Sequence, residues 1–217
     1  MHQLSGRVRY RCLHRADIAF PFPLRPETYA GLPPTVQRAA PKRRREFLAG
    51  RYCAAETLTS LGAGTTHVGM AENRAPIWPA QVVGSITHAG DFAAAAVAWA
   101  ADLAGVGIDS ERIVEPAAAR DLADICMVDE ARLFAGGRSF CEFSTFLFSA
   151  KEAVFKCLFP IRQKFLEFSD VRITGLDWDR GWFAWRTLDA QSGSGRVSQV
   201  GGVVHTAVEL SHVAVKR

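Results

Sequence analysis

The segment GVGIDSER carries Asp109 and Glu111 one residue apart, and FSAKEAVFK carries Glu152 between Lys151 and Lys156. Val106, Ile108 and the small glycines favour an extended chain, so a period of two puts both carboxylates of the first segment on one face. Two carboxylates side by side repel unless a cation sits between them. The second segment has helical spacing. Phe148, Glu152 and Phe155 or Lys156 recur every three to four residues, Glu152 and Lys156 share a face, and Lys151 lies off to one side. Such a helix can add a third oxygen ligand and two cations. Oxygen ligands completed by phosphate and water suit Mg²⁺, whereas the five scattered cysteines and six scattered histidines suggest no softer metal. The chemistry these groups suit is metal-assisted handling of a polyphosphate. Each piece alone is ordinary: a D-x-E triplet is a solvated strand edge in most proteins, and a Glu-to-Lys pair four apart stabilises exposed helices.

Two further segments raise the combination above its parts. In PIWPAQVVGSITHAGDFAAAAVAW, Pro76, Trp78 and Pro79 stiffen the approach to Gly84-Ser85-Ile86-Thr87-His88. That run can bring backbone N–H groups, two hydroxyls and a ring nitrogen to a phosphate; a buried, satisfied His88 is the alternative. The alanines after Asp91 read as a strand or a short buried helix. Upstream, Phe47, Leu48, Cys53 or Ala54, Leu58 and Leu61 predict a helix over about 41–61, ended by Gly62 or Gly64. Its first turns carry Lys42, Arg43, Arg44, Arg45 and Arg51. Cations at a helix start oppose the macrodipole, so either an anion sits nearby or the patch is solvated. Arg74, in the loop before Trp78, is another candidate, because a planar guanidinium suits phosphate.

Composition narrows the class. A chain of 217 residues with 48% hydrophobic content and no low-complexity tract can build a substantial core. The longest apolar run, Phe92 to Ala101, is far short of the roughly 20 residues needed to span a bilayer. Met1-His2-Gln3 leads into a charged stretch, so no signal peptide is expected. Cysteines at 12, 53, 126, 141 and 157 form no C-x-x-C pair, and an odd count points to reduced thiols and a cytoplasmic location. A formal charge of +4 fits a polyanionic ligand or an acidic protein partner. Without interleaved aromatics or a recognition motif, nucleic acid is not expected as a partner, nor is membrane insertion.

The elements form two α/β units. Arg7 to Leu13 reads as a strand, followed by the basic helix, the His88 strand and the alanine-rich segment. A second unit opens at the Asp109 strand, passes through helical 116–134 and reaches a helix at about 143–159, before Pro160. Val171–Ile173, Trp182–Arg186 and Val203–Leu210 read as strands, with GSGR at 193–196 and Gly201-Gly202 as turns or loops. Leu103 to Gly107 joins the units, giving lobes of 1–104 and 105–217. A site built from His88 on one side and Asp109, Glu111 and Glu152 on the other would lie at their junction.

GSITHA, GVGIDSE and FSAKEAVFK, in this order, resemble the signature of 4'-phosphopantetheinyl transferases, in particular the monomeric two-lobed group serving siderophore, polyketide and nonribosomal peptide synthases. KRRREFLAGR and PIWP extend the similarity toward the enterobactin-type and actinomycete branch. The resemblance covers about residues 40 to 160. It implies an α/β (α+β) fold of two similar lobes related by a pseudo-twofold axis, with coenzyme A as co-substrate in the cleft and Mg²⁺ (or Mn²⁺) on its pyrophosphate. By the same resemblance Asp109, Glu111 and Glu152 are the metal ligands, and Glu152 also serves as base. Lys151 and Lys156 fall on phosphate-facing or chemically supporting lysines. His88 falls on a phosphate-contacting histidine, Arg43 and Arg51 on positions gripping the 3'-phosphate, and Arg74 on a further basic contact. Ser110 departs from relatives with a third carboxylate there, so a water or a carbonyl would fill that coordination position. Ala89 stands where relatives often have cysteine.

The implied reaction moves the 4'-phosphopantetheinyl group from coenzyme A to a serine of an apo acyl, aryl or peptidyl carrier protein and releases 3',5'-ADP. The carrier is expected to be acidic and the enzyme a monomer. Ile125, Met127, Leu133 and Phe134 are either a docking surface or ordinary core. The competing readings are a non-catalytic coenzyme A-binding protein and another Mg-dependent phosphotransferase.

Overall fold

The computed structural model describes residues 4–14, 32–134 and 138–214. The expected α/β class and two-lobed organisation are present. The first lobe contains β1 (Arg9–His14), a short α1 (Pro34–Gln37), α2 (Pro41–Leu61), β2 (Gly69–Met70), β3 (Pro76–Ile77), β4 (Val82–Ala89) and β5 (Phe92–Trp99). The second contains β6 (Gly105–Arg112), α3 (Pro116–Cys126), α4 (Phe140–Arg162), β7 (Val171–Asp177), β8 (Trp182–Thr187), β9 (Ser192–Val200) and β10 (Val203–Leu210). Both lobes follow one plan, a long helix laid across an antiparallel sheet. The sheet orders are β1-β5-β4 under α2 and β6-β10-β9-β8-β7 under α4.

The alanine run resolves as β5, and its composition follows from its position. Ala93, Ala95 and Val97 pack against Cys53, Ala54 and Leu58 of α2. Ala94, Ala96 and Ala98 face Val106, Ile108 and Ala207 of the second lobe. A strand pressed from both faces has room only for small side chains, which erases the alternation that marks a half-exposed strand. The second lobe's core is aromatic instead, with Phe143, Phe146, Trp185 and Phe183 under one percent or so of exposure.

Three local expectations change. GSGR at 193–196 lies within β9, where Gly193 and Gly195 give room to the rings of Trp185 and Phe183. Only Gly201-Gly202, both at positive φ, makes the turn. The helix expected through 116–134 stops at Cys126, since Met127 turns extended, and resumes as one 3₁₀ turn, Glu130–Leu133. The later helix runs past Pro160 to Arg162, where Gln163 at φ 51° closes it. A proline in the last turn removes one hydrogen bond that the helix end can lose cheaply. Among the described residues no helix is long and apolar enough to cross a membrane.

Two features set α4 in place. Ser139 and Glu142 form a reciprocal capping box at its start, with Ser139 N donating to Glu142 Oε2 at 2.7 Å, and Gln199 Nε2 donates to Glu142 Oε1 at 2.8 Å. Gly105 and Gly107 of β6 then let the helix approach the strand: a Cβ on Gly107 would stand 1.9 Å from the Ala153 carbonyl oxygen, and one on Gly105 would stand 2.5 Å from that of Cys157. Gly107→Ala is expected to cost about 2–3 kcal/mol in denaturant unfolding, with Gly64→Ala, which meets nothing, within about 0.5 kcal/mol of the parent.

The cap has a pH signature. The Ser139 backbone N–H, then the Gln199 amide and Ser139 hydroxyl, hold the Glu142 carboxyl at about 2, below its ordinary 4.5. A depressed carboxylate stabilises the fold above its unfolded value, and that stability is lost as pH falls through the folded one. Wild type should therefore lose about 1 kcal/mol relative to Glu142→Ala as pH drops from 4.5 toward 2, read by chemical denaturation at each pH.

Candidate functional site

A cleft of about 660 Å³ runs along the lobe junction and is lined by Arg43, Arg51, Arg74, His88, Asp109, Glu111, Glu152 and Lys156. Five elements supply these groups: α2 and the β2–β3 turn from one lobe, β4 at the seam, and β6 with α4 from the other. Gly50 of α2 sits over Ile86, whose Cγ2 would lie 2.7 Å from a Cβ at that position, so α2 rests close on β4.

The two edge strands β4 and β6 are stitched together by side chains. Ile108 N donates to Ser85 Oγ at 3.1 Å, and Thr87 Oγ1 donates to Asp109 Oδ1 at 3.3 Å. Both residues border the cleft, but their hydroxyls serve the lobe junction, which corrects the expectation that they face a phosphate. Alternation on β4 turns His88 the other way, toward α2. Arg43 Nη1 lies 2.5 Å from His88 Nε2 and 3.5 Å from Glu46 Oε2, and His88 Nδ1 is 4.0 Å from the same carboxylate oxygen. Burial lowers the His88 pKa, with Arg43 and Lys156 adding to the effect and Glu46 and Asp109 opposing it. The ring is therefore neutral and presents Nε2 as an acceptor to Arg43.

Arg51 stacks over Phe47, 4.6 Å from the ring centroid, and donates through Nη2 to the Gly69 carbonyl at 3.0 Å. Burial brings its guanidinium down to about 10, so it remains charged at neutral pH. Arg74 is exposed on the β2–β3 turn at φ 69°, where Asn73 Oδ1 accepts from Ala75 N.

At the acidic end, Asp109 is 2% exposed and Lys156 Nζ meets its Oδ1 at 2.5 Å. Glu111 lies on the same face of β6. Burial, then Asp109 and Glu152, push its carboxyl up to about 7, against the pull of Lys156. Glu152 is also raised, by burial first and by Asp109, again opposed by Lys156. Burial opposes the charge on Lys156, yet Asp109, Glu152 and Glu111 together raise its pKa. Asp109 thus pairs with the ammonium directly while Glu111 and Glu152 add to its field, and burial with the neighbouring carboxylates makes the two glutamates hold their protons more tightly. Among the described residues, however, no group of three or more His, Cys, Asp or Glu is drawn into a metal-binding cluster. Lys156 supplies the counter-charge in this arrangement.

One sequence expectation is corrected here. Lys151 does not face the cleft. It is 1% exposed, and its ammonium donates to Cys126 O at 2.6 Å and Phe168 O at 3.1 Å while paired with Glu130 Oε1 at 2.9 Å. One residue is about 100° around a helix, so Lys151 and Glu152 point to different neighbours. Ser110 likewise turns away from Asp109 and Glu111: it is fully buried, with Oγ 2.9 Å from His205 Nδ1. The expected surface splits, since Ile125 and Phe134 are exposed while Met127 and Leu133 pack against the core.

Residues outside the expected set of site residues also shape the cleft. Glu46 braces Arg43 and His88, and its position three residues after Arg43 was the available signal. Phe155, Phe159 and Phe165 form an aromatic end, with Phe155 5.2 Å from each of the other two ring centroids. Phe148, Glu152, Phe155 and Phe159 share a helical face, so that wall was readable in part from spacing.

The family model for the 4'-phosphopantetheinyl transferase N-terminal domain matches residues 33–98, and that for the 4'-phosphopantetheinyl transferase superfamily matches residues 105–208. The chain belongs to the 4'-phosphopantetheinyl transferase superfamily. It is 40% identical over 156 residues to the 4'-phosphopantetheinyl transferase Svp of Streptomyces mobaraensis, covering 70% of this chain and 63% of that protein. It is 35% identical over 140 residues to Npt of Nocardia iowensis, covering 64% and 62%. Enterobactin synthase component D of Escherichia coli K12 is 40% identical over 123 residues, covering 56% and 57%. The matched segments thus span less than two thirds of these relatives' own lengths. The superfamily matches meet either side of the cleft, one contributing Arg43, Arg51, Arg74 and His88, the other Asp109, Glu111, Glu152 and Lys156.

Lys151 and Lys156 should behave differently as structural groups. Lys151→Met leaves Glu130 charged and buried, and is expected to lower unfolding free energy by about 3–5 kcal/mol, whereas Lys156→Met, at a partly open site, should lower it by less than about half of that. Equilibrium denaturation of the two variants checks this.

Proposed function

We propose that this chain transfers the 4'-phosphopantetheinyl group of coenzyme A to a serine of an apo carrier protein. The observation that carries the reading is the charge layout of the cleft: arginines and the His88 ring at one end, three carboxylates with Lys156 at the other. A coenzyme A molecule matches that layout. Arg43 and Arg51, with Arg74 on the rim, suit the 3'-phosphate and nucleotide end, and Lys156 suits the pyrophosphate.

The donor set also suits a hard divalent cation. Asp109, Glu111 and Glu152 offer only oxygen, and burial first, with the neighbouring carboxylate charge second, raises both glutamates, a setting in which a cation would be welcome. Mg²⁺ held by these three would neutralise pyrophosphate charge; displacement of Lys156 from Asp109 toward the phosphate would accompany it.

The remaining chemistry belongs to the chain. The carrier serine oxygen attacks the β-phosphorus, its proton passes to Glu152 directly or through a water, and the bond to the departing 3',5'-ADP oxygen breaks. A glutamate that also holds the metal would lose basicity to it, which favours transfer through a water. Lys156 stabilises charge on the departing oxygen, and neutral His88, backed by Arg43 and Glu46, orients the nucleotide end. The partner class is a carrier protein with an acidic surface, in keeping with the net charge of +4.

Intact-mass measurement of an apo carrier incubated with the chain, coenzyme A and Mg²⁺ tests the proposal. A gain of one phosphopantetheinyl group is expected, abolished by chelation and slowed by roughly 10²–10⁴-fold in Glu152→Gln. Arg51→Met should weaken coenzyme A binding roughly tenfold or more in calorimetry. Normal turnover of Glu152→Gln at saturating Mg²⁺ would remove the glutamate from its role.

A further inference from the structure

Outside the cleft, one buried charged cluster has no part in the chemistry above. Glu130 is fully buried and its carboxylate is saturated: Oε2 accepts from Val128 N at 2.8 Å and Asp129 N at 3.2 Å, while Oε1 accepts from Ile173 N at 3.1 Å and pairs with Lys151 Nζ. Lys151 adds the carbonyls of Cys126 and Phe168. One ion pair therefore ties the end of α3, the turn before Glu130, the 3₁₀ turn at Phe168–Asp170 and the start of β7 to a single residue of α4. That residue directly precedes Glu152.

We propose that Glu130 and Lys151 are positioning residues for the transfer reaction, fixing the rotation of α4 about its own axis so that Glu152 and Lys156 converge on Asp109. The inference rests on the transfer reading above. Apolar side chains such as Phe146, Leu147, Ala150 and Val154 hold α4 against the sheet, but such contacts are non-directional and permit a helix to roll. On the opposite side, Gly105 and Gly107 remove the side chains that would block sliding along β6. An ammonium with three acceptors in fixed directions supplies the orientation that packing does not. The arrangement also gives Lys151 a role that its adjacency to Glu152 obscured.

The test separates orientation from stability. Glu130→Met/Lys151→Met leaves no unpaired buried charge, and such replacements regain stability in other proteins. The double variant should unfold near the wild-type temperature, well above that of Lys151→Met alone. Two readouts should nonetheless move: amide hydrogen exchange over residues 148–156 is expected to accelerate about tenfold. The kcat for transfer to an apo carrier should fall about 10–100-fold while KM for coenzyme A changes much less. Should the double variant not fold, Glu130→Gln takes its place under the same readouts. Wild-type exchange over 148–156, or wild-type kcat, in the folded variant overturns the proposal. If wild type itself transfers nothing, the transfer reading fails, while the exchange data still decide whether the pair orients α4.

Discussion

The absence of side chains at Gly105 and Gly107 is the constraint on which the cleft depends. With any larger residue there, α4 would stand off from β6, and the contact between Lys156 and Asp109 at 2.5 Å would open. Close approach has a cost, because it buries three carboxylates near one another in a setting of reduced dielectric. The helix offsets part of this cost by bringing its own ammonium to the same point. Packing at the glycines and electrostatics at Asp109 are thus one interaction seen at two levels.

The seam between the lobes has a related logic. β4 and β6 run side by side without a continuous ladder, and Ser85 and Thr87 take over part of the pairing. A hydroxyl that both accepts and donates can satisfy an edge strand while leaving the strands able to diverge, and the cleft occupies that divergence. On the far side, the alanines of β5 bring α2 close enough for Arg43 and Arg51 to reach the same space.

Much of this was legible in the sequence because it is local. The helix over 41–61, the Asp109 strand and the shared face of Glu152 and Lys156 follow from periodicity and from Gly62, which takes the left-handed cap at φ 80°. What stayed hidden depends on partners distant in the chain. The strand identity of the alanine run could not be read because burial on both faces leaves no alternating pattern. The glycines of 193–196 looked like a turn, although they make way for the rings of Phe183 and Trp185. Lys151 is the instructive case: helical spacing already set it to one side of Glu152, and the family resemblance drew it toward the phosphate. Glu130, the residue that captures it, lies in a segment read as continuous helix, so nothing local could announce the pair.

The charge distribution gives the cleft a polarity of its own. At the α2 end, Arg43 meets a neutral His88 while Arg51 adds a second cation, and Glu46 offsets only part of their charge. At the α4 end, carboxylates outnumber the single ammonium, and burial together with that excess pushes Glu111 up to about 7. A lone anion would satisfy the first end and worsen the second; a lone cation would do the reverse. A polyanion carrying a divalent ion satisfies both, and each component strengthens the other's binding because the acidic end repels the phosphates until its own charge is met. On the proposed reading, metal and coenzyme A are therefore thermodynamically coupled by the layout of this cleft, with Lys156 as the group that changes partner between them.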